Sequence, residues 1–176
     1  MRSDEGIATT VFEGAENWAQ AGFDAFFVEH HRRLFKALYF VTGDAGAAED
    51  LAQDAFLRLW QRWDEVSVMD DPEGYLFRAA LNGARMRRRR ALIAARRTVP
   101  VTEERDPFAD ADMRVEVRRL LLRLTPRQRA ALLLVDLLGY PSERAAHILG
   151  VRPSTVRALA TQGRQALRAT EGSNDA

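Results

Sequence analysis

Residues 145–168 read AAHILGVRPSTVRALATQGRQALR. An eight-residue stretch of helical period stops at Leu149-Gly150-Val151, and Pro153-Ser154-Thr155 opens a second helix, the layout of a helix-turn-helix. Ala145 and Ala146 are small enough for a close crossing, while Ile148, Val151, Val156 and Leu159 supply the apolar wedge. On the second helix Ser154, Arg157, Thr161, Arg164 and Arg168 recur at steps of three and four, with Thr155 beside Ser154 at its start. Hydroxyls at a helix N-terminus meet phosphates, and arginines farther along reach base edges or backbone. A helical hairpin with a solvated basic face shares the periodicity; glycine, spacing and charge together favour duplex DNA.

Working outward, Thr125-Pro126-Arg127-Gln128 is a capping box with proline at the first helical position. Its helix ends at Gly139, a left-handed C′ residue. With the apolar run Val115, Val117, Leu120, Leu121, Leu122 and Leu124, these elements make a second domain over 113–170, followed by a disordered polar tail at 171–176. Before it, residues 98–112 hold Pro100, Pro107 and five acids without a period, and read as a linker that reaches at most ~60 Å when extended. That is on the order of 17 base pairs at ~3.4 Å each.

A first domain occupies 23–97, after an N-terminal extension, 1–22, of unassigned role. Phe23, Phe26, Phe27, His30, Leu34, Leu38 and Val41 mark an amphipathic helix ending near Gly43. Asp44 caps a second helix with a buried stripe of Ala48, Ala52, Ala55, Phe56, Leu59 and Trp63. A polar stretch, 64–71, follows it. Asp71-Pro72 opens a third helix running to about Arg90, or as far as Arg97, with Leu76, Ala79, Ala80, Gly83 and Met86 inward. With no strand pattern anywhere, the expected fold is all-α: two small helical domains on a flexible tether.

Composition closes off several functions. The chain has no cysteine, which removes disulfide scaffolds and thiolate chemistry. His30, His31 and His147 are too few and scattered for a metal cage, and no catalytic constellation occurs, so neither an enzyme, a metal nor a cofactor is expected. Apolar runs fall far short of a membrane span and the N-terminus has no signal-peptide pattern, so a cytoplasmic location is expected. The formal charge of +1 conceals blocks: −7 over 42–73, +8 over 74–97, −4 over 98–112 and +8 over 113–170. Such alternation suits more than one partner, at least one of them polyanionic.

Two further faces stand out. On the third helix Tyr75, Arg78, Asn82, Arg85 and Arg89 form one stripe, able to stack on, hydrogen-bond and neutralise nucleic acid. The loop before it, with Ser67, Val68, Met69, Asp70 and Asp71, can form a pocket for an unstacked base. On the second helix Asp50, Gln53, Asp54 and Leu57 face outward with Trp60 at their border, a pattern of protein-binding hot spots; the bland alternative packs Trp60 inward.

The blocks GDAGAAEDLAQDAFLRLWQRWD (43–64), DDPEGYLFRAALNGARMRRRR (70–90), LTPRQRAALLL and residues 145–168 occur in an order that resembles the extracytoplasmic-function class of bacterial sigma factors. The resemblance covers about residues 23–168. It implies a transcription initiation factor that binds core RNA polymerase through Asp50, Gln53, Asp54, Leu57 and Trp60. It further implies −10 recognition and opening through Ser67, Met69, Asp70, Tyr75, Arg78, Asn82, Arg85 and Arg89. Ser154, Thr155, Arg157, Thr161, Arg164 and Arg168 would then read the −35 element. The same resemblance implies an anti-sigma factor as a partner. The chain departs from the family where Leu159 replaces a common basic residue and Gln162-Gly163 a basic–small pair, and Gly163 is expected to cost its helix about 1 kcal/mol against alanine. Tyr75 stands where tryptophan is frequent. The alternatives are an autonomous helix-turn-helix regulator and a sigma-like protein that sequesters partners.

Overall fold

A computed structural model describes residues 5–95 and 111–171, which form eight α-helices and no strand. Helix α1, Glu5–Thr42, is the longest and runs upstream of the first periodic apolar residue, Phe23. Helix α2, Ala45–Trp60, starts where the Asp44 carboxylate accepts the Ala47 N–H at 2.5 Å. Its stripe of Ala48, Leu51, Ala52, Ala55, Phe56 and Leu59 is buried against α1 and the later helix that carries Gly83.

Trp63 does not extend that stripe. The chain breaks at Gln61 and Arg62, and a single turn, α3 (Trp63–Val66), follows. The Trp63 ring packs on Phe23 and Phe26, with centroids 5.4 and 5.3 Å away. Val66, inside the stretch read as polar, is fully buried and anchors the loop after it. Helix α4, Pro72–Ala95, is capped by Asp71, whose Oδ1 accepts the Gly74 N–H at 2.9 Å. Leu76, Phe77, Ala80 and Ala84 face inward as the period requires, whereas Met86 is 43% exposed and is not a core residue. Helix α4 meets Leu51 of α2 at Gly83, and beyond that crossing the described side chains on α4 are all exposed, apart from Ala84.

The second group begins with α5, Ala111–Arg123. Helix α6, Pro126–Leu132, carries the expected capping box at Thr125 and Gln128. It continues through a π turn, Leu133–Leu137, closed by the Leu138 N–H on the Leu133 carbonyl at 2.9 Å. Helices α7, Ser142–Leu149, and α8, Pro153–Glu171, form the helix-turn-helix. Gly150 between them has φ +65°, a left-handed turn that glycine adopts without a Cβ penalty.

Gly163 has a packing reason that sequence pattern did not reveal. It is buried where α8 crosses α6, and a Cβ there would stand 2.5 Å from Cδ1 of Leu132, itself 4% exposed. Leu159 is half-buried and packs against the core. Gly163→Ala gains about 1 kcal/mol of helix propensity but incurs an overpacking cost of about 1–3 kcal/mol. A net loss of stability is therefore expected in urea unfolding, and a stabilised variant would refute close α6–α8 packing.

The two helical groups are not separate beads. One apolar core contains Leu34, Leu38 and Phe77 from the first together with Tyr140, Ala145, Ile148 and Val156 from the second. Arg129, only 6% exposed, caps both groups at once. Its guanidinium donates to the carbonyls of Leu121, Leu122 and Leu124 at the end of α5, and to that of Val41 at the end of α1. Arg118 donates to the Gly43 carbonyl. These contacts satisfy carbonyls that a helix end leaves open. The flexible tether read over 98–112 lies outside the described residues, save for the last two, which begin α5.

Candidate protein and nucleic-acid interfaces

On α2, Asp50, Gln53, Asp54 and Leu57 all face solvent, Leu57 being 55% exposed. Trp60 does both things that the sequence allowed: its ring packs 4.8 Å from that of Phe23, yet it stays 38% exposed. The result is an apolar spot flanked by carboxylates. Asp50 accepts from Arg87 of α4 at 2.9 Å, and Asp54, Arg58, Asn82 and Arg87 line one open groove between α2 and α4. The acidic face and the basic face therefore adjoin.

Along α4, Arg78, Asn82, Arg85 and Arg89 are exposed on one stripe, while Tyr75 at its start is half-buried. Arg62 holds Tyr75, donating to its hydroxyl at 3.0 Å with the guanidinium 5.8 Å from the ring centre. In the neighbouring loop Ser67, Val68, Met69 and Asp70 are all exposed, Val68 by 81% and Met69 by 38%. Exposed apolar side chains between a buried Val66 and Asp71, the cap of α4, make a rigidly based rim. Such a rim can receive a flat aromatic group.

Asp71 itself turns away from that rim to the second helical group. Arg144 of α7 grips it through two parallel hydrogen bonds, of 2.9 and 2.5 Å, and reaches Glu73 at 2.7 Å. Arg33 of α1 donates to Glu73 at 2.8 Å and to the Leu138 carbonyl at 2.8 Å. Tyr140 lies between these arginines, whose guanidinium carbons stand 5.1 and 4.2 Å from its ring centre, and its edge meets Phe77. The bonds from Arg144 hold the Asp71 carboxyl below its ordinary value despite partial burial. Burial pushes Glu73 up, but the Tyr140 hydroxyl, Arg144 and Arg33 beside it outweigh this and bring it down. Burial and the Glu73 carboxylate push the Tyr140 hydroxyl above its usual range.

Lowered carboxyl pKa values stabilise the fold at neutral pH, and that stability is lost as pH falls through the folded-state values. Arg144→Ala is expected to remove about 1–2 kcal/mol at pH 7, a modest figure because the cluster is partly solvated. Below about pH 3 the difference between variant and parent should shrink. A gap that stays constant from pH 7 down to about pH 2 in thermal melts would assign the effect to packing alone.

On α8, Ser154, Thr155, Arg157, Thr161 and Arg168 are exposed and Arg164 is half-exposed. Arg157 lies 3.4 Å from the Glu143 carboxylate of α7. Arg164 forms two bonds with Asp136 of the π turn, Nε to Oδ2 at 2.9 Å and Nη2 to Oδ1 at 2.7 Å. His30 faces Glu73 at 3.6 Å and His31 faces Glu49 at 3.9 Å, so the adjacent histidines serve different neighbours. Sequence reading missed Arg33, Arg129, Tyr140 and Arg144. Each has a partner far off in the chain, such as Val41 for Arg129 and Asp71 for Arg144, and no local spacing marks them.

Two family profiles match the chain: Sigma-70 region 2 over residues 26–92, and Sigma-70, region 4, over residues 114–167. The ECF RNA polymerase sigma factor SigM of Mycobacterium tuberculosis is 34% identical over 149 residues, covering 82% of this chain and 74% of the relative. The ECF RNA polymerase sigma factor SigE of Mycolicibacterium smegmatis is 30% identical over 177 residues, covering 94% and 68%. Among solved structures, a chain in the co-crystal of the sigma factor RpoE with the anti-sigma factor NepR from Bartonella quintana superposes with a TM-score of 0.72. That likeness spans 84% of this chain and 94% of the other at 22% identity, and bears on the fold.

Proposed function

The chain belongs to the ECF RNA polymerase sigma factors, which direct RNA polymerase to promoters, and from that premise we propose how its surfaces divide the work. The α2 face, with Asp50, Gln53, Asp54, Leu57 and Trp60, takes core polymerase. The loop with Ser67, Met69 and Asp70 and the stripe of Tyr75, Arg78, Asn82, Arg85 and Arg89 take the −10 element, receiving an unstacked base as the strands part. Ser154, Thr155, Arg157, Thr161, Arg164 and Arg168 take the −35 duplex.

One observation carries this division: the two basic faces differ in chemistry. The α4 stripe adjoins exposed Val68 and Met69, apolar groups that suit the flat face of a base and not a phosphate. The α8 face begins with two exposed hydroxyls at a helix N-terminus and continues with arginines, which suits a groove and its phosphates. An anti-sigma partner belongs to the same proposal, supported by the similar fold of a sigma chain bound to one.

Photo-crosslinkers at Met69 and Thr161 in the polymerase complex test the division. Met69 is expected to label DNA only in the opened −10 region, and Thr161 only the upstream duplex. The converse labelling would overturn it.

A further inference from the structure

Two of the arginines on the duplex-facing side of α8 are already held by carboxylates of their own domain. At 100° per residue Arg157, Thr161, Arg164 and Arg168 fall within an arc of about 60°, next to the buried line of Val156, Ala160 and Gly163. They therefore form one flank of the helix rather than its crest, the place from which side chains reach the phosphates along a groove. On this flank Asp136 takes two hydrogen bonds from Arg164 in parallel, in the side-on fork geometry that is the strongest and most directional form of the pair.

The backbone beneath Asp136 explains how it gets there. Leu132, Leu133 and Leu134 are buried, so a regular helix would have to turn its next polar residue by the same 100° steps. The π turn over Leu133–Leu137 inserts a wider step, leaving Asp136 41% exposed and level with Arg164 across α8. π turns of this kind are frequent at functional sites. The bond raises the Arg164 pKa further, so the guanidinium stays charged while it is held.

We infer that Asp136 is a positioning residue that sets sequence selectivity: it ties the side-on edge of Arg164, so the arginine engages DNA only through its free Nη1 end and contributes little to indiscriminate phosphate binding. A neutral Arg–Asp pair attracts a phosphate less than a lone arginine at any sequence. The full attraction returns only where the duplex presents an acceptor in line with the free end. Glu143 acts on Arg157 in the same sense but more weakly, through one contact at 3.4 Å between two largely exposed groups. This inference rests on the reading of α8 as the duplex-binding helix.

The test uses the full chain, a mixed-sequence 30-base-pair duplex, and a duplex enriched from a random library by the parent chain. Asp136→Asn, nearly isosteric and at an exposed position, is expected to bind the mixed duplex about three- to ten-fold more tightly. Its slope of log K against log salt should steepen by about one contact, and its preference for the enriched duplex should fall at least three-fold. In an Arg164→Ala background the same substitution should change nothing. A gain that persists without Arg164 makes Asp136 a bulk charge and overturns the inference, as does unchanged or weaker mixed-duplex binding while Arg164→Ala itself loses affinity. If Arg157→Ala and Arg164→Ala both leave duplex binding untouched, the reading of α8 has failed first.

Discussion

Asp54→Arg is expected to weaken binding to core RNA polymerase by more than ten-fold without disturbing the fold. Asp54 lies on the outward side of α2, four residues after Asp50 and one turn before the apolar spot of Leu57 and Trp60. Asp50 already answers Arg87 within the chain, which leaves Asp54 as the cleaner probe of charge toward a partner. Reversal replaces an attraction by a repulsion at the rim of a desolvated contact, a change of roughly 2 kcal/mol or more, hence over ten-fold. Surface burial does not change, so the thermal midpoint should move by less than about 2 °C. Equilibrium titration with labelled core enzyme reads the affinity. Unchanged affinity moves the polymerase contact off this face.

The second large effect separates two steps of initiation. Asn82→Ala or Arg85→Ala should lower promoter opening by about five- to thirty-fold, as expected from losing about 1–2 kcal/mol of contact to a strand that is single only in the open state. Binding of the same complex to closed duplex should fall far less. Arg157→Ala should do the reverse, weakening the closed complex and leaving the opening rate of the bound fraction near normal. Permanganate reactivity of unpaired thymines reports the first step, and gel mobility of closed complexes on ice the second. Equal loss of both steps in all three variants would dissolve the distinction between the α4 and α8 faces.

What the sequence made legible follows from which interactions are local. The Asp44 cap, the Thr125–Gln128 box, the turn at Gly150 and the stripe on α2 from Ala48 to Leu59 each follow from spacings of a few residues, and each is found where spacing put it, although Trp63 does not continue the stripe. The break after Trp60 was not legible because Gln61 and Arg62 carry no glycine or proline signal. Met86 has the right period for burial, but period says only which face a residue shares, not whether a neighbour extends that far. Gly163 read as a weakness because propensity counts the helix alone, while the structure sets it against Leu132.

The candidate faces were legible for a similar reason: exposed stripes on α2, α4 and α8 are properties of single helices. Their restraints were not. Arg144 answers Asp71 across 73 residues of chain, and Arg164 answers Asp136 across 28. A charge pattern shows that an arginine has a face, but only the packed helices show which of its edges is already taken. The merging of both helical groups into one core around Tyr140 was hidden in the same way, since that tyrosine sits in a short loop without a period.

The most direct test of the central claim is transcription by core RNA polymerase from a GC-rich bacterium, with and without the chain, on a genomic promoter library. The account predicts a stoichiometric complex and a small set of chain-dependent start sites that share two upstream elements, the nearer lost on Asn82→Ala and the farther on Arg157→Ala. A folded chain that joins core polymerase yet yields no start sites of its own would contradict it.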